Sequence, residues 1–210
     1  KSTFDDSFFH SFDGMIWTGS SLNIYDNTNE IKNQISLMKK VSKLPIKIFG
    51  SCWGMQLYTV CNGGVVSKNI KGREIGISFN ISLNNKGKGH PMYNQKPIIF
   101  DAFASHIDHV TTLPKKASAL SDNHYSIQSL SNKNFWGTQY HPEFNFQYTG
   151  QILNARKKIL LKEKLFSNNQ LNNLISSFKK PSKDSYSNSL MDFKIRTNEL
   201  ANWLKYIKKN

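Results

Sequence analysis

The sequence predicts an α/β fold, and three stretches carry that expectation. Pro45-Ile46-Lys47-Ile48-Phe49 leads into Gly50-Ser51-Cys52-Trp53-Gly54-Met55-Gln56, and a helix-compatible run from Met55 leads out to Cys61 before Gly63-Gly64. That is a strand, a sharp turn and a helix with a cysteine at the turn, the form of a nucleophile elbow. Upstream, Asn27 with Glu30 has the spacing of a capping box, and Ile31, Ile35, Met38 and Val41 recur at helical spacing. A helix from about Thr28 to Lys43 therefore feeds the elbow strand and builds a right-handed βαβ unit. Downstream, Phe135 to Tyr140 reads as a short strand that ends at His141.

The elbow has a chemical purpose. Tight backbone turns favour glycine on either side of the nucleophile, and the following helix aims its positive end at the sulfur. A thiol also needs a base, and the base needs a third group to fix its tautomer. His141 and Glu143 stand two residues apart in Gln139-Tyr140-His141-Pro142-Glu143, so in extended chain they project to the same side. Cys52, His141 and Glu143 are the candidate catalytic residues.

The remaining elements follow in order. Residues 1–12 are aromatic and acidic without a clear period, and Met15 to Thr18 is a short apolar strand ending at Gly19-Ser20-Ser21. Ile75, Ile77, Phe79, Ile81 and Leu83 alternate, the mark of a half-buried strand. A polar loop from Asn84 to Pro91 holds His90, expected at the surface. Ile98 to Ala104 is another strand and delivers Ser105-His106, while Ser118 to Leu120 and Tyr125 to Leu130 suggest a hairpin. His106, Asp108 and His109 crowd ligand-type residues together, but on extended chain they point to both faces, so no shared metal is expected. Beyond Gln147, apolar residues at helical spacing, a polar break from Lys179 to Ser189 and a last apolar stripe through Trp203 and Ile207 predict helices docked on the sheet.

At 210 residues, one domain spanning 1–210 is expected, with a core over 13–146 and a helical extension over 147–210. The net charge is +14; residues 151–210 hold 13 Lys+Arg against 4 Asp+Glu, and the first 150 hold 15 against 10. Most of the excess thus lies in the tail, but Arg73, Arg156 and Arg196 are the only arginines, which is poor material for phosphate recognition. Nucleic acid is not an expected partner. No apolar run reaches membrane-spanning length, so no membrane association is expected. Cys52 and Cys61 cannot build a disulfide framework, which fits a reducing, cytoplasmic setting.

Taken together, these residues resemble the class I glutamine amidotransferases, whose pattern is G-x-C-x-G-x-Q followed about ninety residues on by H-P-E. Gly50, Cys52, Gly54 and Gln56, then His141, Pro142 and Glu143, supply both parts. Asp13 to Ser20 looks like the family's oxyanion strand and loop, and Ala104 to Val110 looks like the S-H-x-D-x-V segment of its GMP-synthase-like branch. The resemblance implies a three-layer, flavodoxin-like, open and mostly parallel sheet with helices on both faces and a small antiparallel addition. It also implies a first βα unit ahead of Asp13, which is expected to be missing here. Oxyanion donors are expected from Gly19 or Ser20 and from the N–H of Trp53, and substrate contacts from Gly54, Gln56, Ser105 and His106. Two departures stand out: Lys47, where the family is apolar, and Ser51, where it has Ile or Val.

The implied chemistry is hydrolysis of the glutamine side-chain amide through a Cys52 thioester, giving glutamate and ammonia, with no cofactor. No G-x-x-x-x-G-K-[ST] loop is present, so an ammonia acceptor would require a synthase partner chain. The same residues also suit a γ-glutamyl peptide hydrolase. A non-catalytic regulatory or binding subunit is the alternative of another class, and the intact Cys52, His141 and Glu143 argue against it.

Overall fold

The computed structural model describes residues 6–208. A short helix α1 (Asp6–His10) precedes strand β1 (Gly14–Trp17). Helix α2 (Asn29–Val41) buries Ile31, Met38 and Val41, three of the four residues whose spacing predicts it. Its cap lies one residue later than expected: Thr28, not Asn27, accepts from the N–H of Ile31. Strand β2 (Lys47–Ser51) then enters the elbow and helix α3 (Trp53–Cys61) leaves it. Next come β3 (Val65–Lys68), the long β4 (Glu74–Leu83), a helical turn α4 (Asn85–Lys88), β5 (Ile99–His106) and β6 (Asp108–Thr112). Strands β7 (Ser118–Asp122), β8 (Ile127–Asn132) and β9 (Phe135–Thr138) complete the sheets. The rest is helical: α5 (Phe146–Ala155), α6 (Lys157–Lys162), α7 (Asn168–Lys179), α8 (Asn188–Met191), α9 (Phe193–Arg196) and α10 (Asn198–Lys208).

The main sheet has seven strands in the order β1-β2-β9-β8-β7-β4-β5, and β3 pairs with β6 in a separate ribbon. β1, β2 and β9 are mutually parallel, and each later neighbour is antiparallel to the one before. Following those pairings, β1, β2, β9, β7 and β5 all point one way, with β8 and β4 running against them. The carboxyl ends of β1, β2, β9 and β5 therefore lie along one edge, where ligands of open α/β sheets bind.

Both faces of the sheet are covered, and the strands show how. Successive side chains of a strand alternate between faces. Ile48 and Phe135 pack into the cluster with Met55 and Leu57 of α3 and Ile31 of α2. Their neighbours Phe49 and Trp136 pack into the opposite cluster with Trp203 of α10. Strand β4 is covered on both sides as well. Its Ile75 and Ile77 pack under Leu153, Leu171 and Phe178 of α5 and α7, and its Ile81 and Leu83 join the opposite cluster; the expected alternation breaks at Phe79 and Asn80, which are exposed where the pairing with β5 shifts register. Lys47 bends its ammonium to Asn134 Oδ1 at 3.0 Å and over the Tyr206 ring. His90 departs from expectation. It is half-buried, caps the turn after Pro91 through Nδ1 and packs edge-on against Trp136, and burial pulls its pKa down to about 4. Among the described residues, no helix is long and apolar enough to cross a membrane.

Candidate active site

Cys52 sits at the carboxyl end of β2 with φ 51° and ψ −105°, a strained conformation for a residue with a side chain. Its neighbours permit the turn. A Cβ on Gly50 would lie 2.8 Å from the Gly54 carbonyl carbon, and one on Gly54 would lie 2.4 Å from the Trp17 carbonyl oxygen. The strain is held from both sides. The Cys52 N–H donates to Thr138 O at 2.7 Å, and its carbonyl accepts from Met55 and Gln56, each at 3.1 Å. The thiol is 4% exposed as a residue, and α3 starts one position later, with its positive end toward the sulfur.

His141 follows β9, and its N–H donates to Phe103 O of β5 at 2.8 Å. The ring is 3% exposed and stacks on Phe144 with centroids 3.8 Å apart. Its Nδ1 meets Glu143 Oε1 at 2.7 Å, so the proton on Nδ1 is directed to the carboxylate. Ser51 completes the arrangement: its hydroxyl donates to the same Oε1 at 2.7 Å and lies 3.2 Å from Nδ1. Burial opposes a charged imidazole, but the charge and hydrogen bond of Cys52, joined by Glu143, outweigh it and lift the His141 pKa to about 10. Burial likewise disfavours an ionised Glu143, yet His141 and Ser51 hold its pKa below the ordinary carboxylate value.

The structure thus brings Cys52, His141 and Glu143 together. It also places Gly19 over the gap between the first two: a Cβ there would lie 2.7 Å from His141 Cε1 and 3.7 Å from Cys52 Cβ. Ser20 lines the same cleft, and Trp53 opens α3, whose first N–H groups have no partner within the helix. Among the expected substrate contacts, Ser105 lines the cleft with a buried hydroxyl that has no hydrogen-bond partner among the described residues. Gln56 donates to Asp108 O at 2.9 Å and to Gln139 Oε1 at 3.3 Å on the cleft floor. The other two expected contacts are placed as follows. Gly54 packs against the backbone of Trp17, where only glycine leaves room for α3 to lie on β1, and it does not line the cleft. His106 lines the cleft wall; its ring nitrogens are engaged, Nε2 by Glu74 at 2.9 Å and Nδ1 by Asp108 O at 3.2 Å, which leaves the backbone of its segment, the part expected to grip substrate, for that contact.

Three features escape the sequence reading. Gln139 donates its amide to Cys52 Sγ at 3.6 Å; its position two residues before His141, just past the end of β9, is the signal that could find it. Ser51 is visible in the sequence only as an oddity. Tyr148, Ile152, Arg156, Ile159 and Glu163, spaced four, four, three and four, form one face of α5 and α6 and wall the cleft. The cleft has two connected lobes, of about 480 and 510 Å³, which share Cys52, Ser105 and Arg156.

An α/β sheet with a cysteine elbow, and a histidine and a glutamate at the next parallel strand, defines the class of fold and site. The chain belongs to the class-I glutamine amidotransferase family, whose pattern matches residues 9–159. It is similar to a γ-glutamyl-L-1-hydroxyisopropylamide hydrolase of Pseudomonas sp., 31% identical over 94% of this chain and 73% of that protein. It is also similar to a glutamine-hydrolysing GMP synthase of Borrelia garinii, 32% identical over 67% of this chain but only 25% of the synthase. A crystal structure of a glutamine amidotransferase from Thermotoga maritima superposes over the whole chain and 83% of its own, with a TM-score of 0.74 at 19% identity, a likeness of fold.

Proposed function

We propose that this protein hydrolyses the γ-amide of γ-glutamyl compounds through a thioester on Cys52. The observation that carries the reading is the buried His141, anchored through Nδ1 by Glu143 and lifted in pKa by Cys52. Such a histidine takes the thiol proton and holds it as imidazolium beside the thiolate. The sulfur attacks the γ-carbonyl carbon, and the N–H groups of Gly19 or Ser20 and of Trp53 receive the oxyanion. Collapse breaks the C–N bond as His141 gives its proton to the departing amine. Water, deprotonated by His141, then attacks the thioester and releases glutamate, restoring the thiolate. Gln139 supports negative charge on the sulfur, and Ser105 and Gln56 serve the glutamyl half. The free thiols Cys52 and Cys61 suit a reducing compartment such as the cytoplasm.

A roomy lobe beside His141, where the amine departs, favours substituted amides over glutamine itself, since ammonia needs about the volume of one water, roughly 30 Å³. The test is amine release from glutamine, a γ-glutamyl alkylamide and a γ-glutamyl dipeptide, wild type beside Cys52→Ala, with a search by mass spectrometry for a glutamyl adduct on Cys52. Release that disappears in the variant, by more than about 10⁴-fold, supports the reading; release that persists sinks it. The second reading, a glutaminase that hands ammonia to a synthase chain, is favoured by the likeness to GMP synthase. It requires glutamine to be the best substrate of the three.

A further inference from the structure

One cation of the cleft, Arg156, has no hydrogen-bond or ion-pair partner among the described residues. Arg156 lies at the junction of α5 and α6, half-buried, and lines both lobes together with Cys52. Among the described residues, no hydrogen bond or ion pair engages its guanidinium. The carboxylate that could neutralise it, Glu163 on the same helical face, is held by Arg73 through two bonds of 2.9 Å. A partly desolvated charge with no partner in direct contact is costly, and a guanidinium presents a planar fork suited to a carboxylate. Burial, and then the nearby Arg73, disfavour the charged form of Arg156, while Cys52 and Glu163 act the other way through space without bonding to the guanidinium.

The position of Arg156 says which carboxylate. The departing amine must lie next to His141, which protonates it. On that side the wall is Phe144, then Tyr148 and Ile152, then Arg156. Along a helix, Ile152 and Tyr148 lie about 6 and 12 Å before Arg156, so the wall offers an apolar surface that ends in a cation. The other lobe has groups of its own for an α-amino acid: Lys68, with no hydrogen-bond partner among the described residues, and Asp108, whose carboxylate accepts from Tyr25 at 3.0 Å.

Resting on the γ-glutamyl amide reading above, we propose that Arg156 is a specificity-determining residue that binds a carboxylate on the leaving half of the substrate, which makes the substrate class γ-glutamyl peptides. Their side chain packs on Tyr148 and Ile152, and their carboxylate pairs with the guanidinium. The test compares kcat/KM for γ-Glu-Leu and γ-Glu-Leu-Gly, each against its C-terminal amide, in wild type, Arg156→Gln and Arg156→Lys, with thermal melts to establish folding. Wild type is expected to favour one or both free acids about tenfold or more, a preference that falls to within about twofold in Arg156→Gln and returns in part in Arg156→Lys. A wild type indifferent to the carboxylate overturns the proposal. So does an equal loss on acid and amide in Arg156→Gln, which would assign Arg156 to the glutamyl α-carboxylate. Calorimetric binding of the same four peptides to Cys52→Ala separates this from the hydrolysis reading. Acid-selective, Arg156-dependent binding without wild-type turnover sinks only hydrolysis, and absence of acid selectivity in binding sinks the role of Arg156.

Discussion

Two buried histidines each contact a glutamate at the same edge of the sheet, and they differ in one respect. His141 meets Glu143 at 2.7 Å and His106 meets Glu74 at 2.9 Å, with the two histidine side chains 4% and 3% exposed. The second nitrogen of His106 is taken by a backbone carbonyl, and Glu74 is saturated in turn by Ser78, Asn123 and Gln128. Burial works against an ionised Glu74, yet His106 and these donors hold its pKa below the ordinary value. Around His141, one nitrogen is anchored and the other side of the ring turns to Cys52; the Glu143 side chain, with Ser51 as its other side-chain donor, stays 31% exposed. A histidine–carboxylate contact is thus not a catalytic signature. A spare nitrogen beside a nucleophile is what distinguishes the pair that can move a proton from the pair that holds strands together.

The sharpest way to break this comparison is to neutralise each carboxylate. Glu143→Gln is expected to lower kcat by about 10³-fold by leaving His141 in the wrong tautomer, with a small change in melting temperature. Glu74→Gln is expected to do the reverse, costing about 3 kcal/mol of stability as a buried pair is broken, with kcat changed only a few-fold in the folded protein. Steady-state kinetics beside chemical denaturation reads both effects. Two variants that lose activity and stability in the same proportion would erase the distinction.

Titration sharpens it further. His141 keeps its proton to about pH 10, whereas an ordinary histidine loses it near 6.5. Its favourable interactions therefore contribute to stability fully below pH 6.5, and that contribution is lost as the pH rises toward 10. Ring resonances followed by NMR should show His141 titrating near pH 10 in wild type and at lower pH in Cys52→Ala, because the two largest upward influences come from Cys52. A His141 that titrates identically in both proteins would mean the sulfur is not its partner.

The contrast also explains what could be read from the sequence. The elbow, the crossover helix and His-Pro-Glu are legible because each is fixed by neighbours a few residues away. Glu74 is not: it faces His106 only because β4 and β5 pair in a register that sets those two residues opposite each other across 32 positions. Arg156 is hidden for a similar reason, since its helical face is written in the sequence but the cleft it faces is built by distant strands. The α2 cap slipped by one residue because Thr28 and Asn27 are both competent caps and packing of the helix decides between them. His90 passed for a surface residue because its loop is polar, although Trp136 covers it.

The smallest effect tests the comparison most finely, because each glutamate has one serine donor at the same distance. Ser51 donates to Glu143 and Ser78 donates to Glu74, both at 2.7 Å. Ser78→Ala removes one of several donors to a closed network and should cost about 1 kcal/mol in stability without altering the pH–rate profile. Ser51→Val replaces the hydroxyl with the kind of residue the family pattern has there. The hydroxyl helps to hold the Glu143 pKa down, so its loss should raise that pKa and move the acid limb of kcat to higher pH. One lost hydrogen bond of about 1 kcal/mol corresponds to about a fivefold fall in kcat, with KM unchanged because Ser51 orients the base and does not touch substrate. A kcat and acid limb left where they were would mean that His141 is oriented by Glu143 alone, and that Ser51 fills space in β2 as the family's aliphatic residue does.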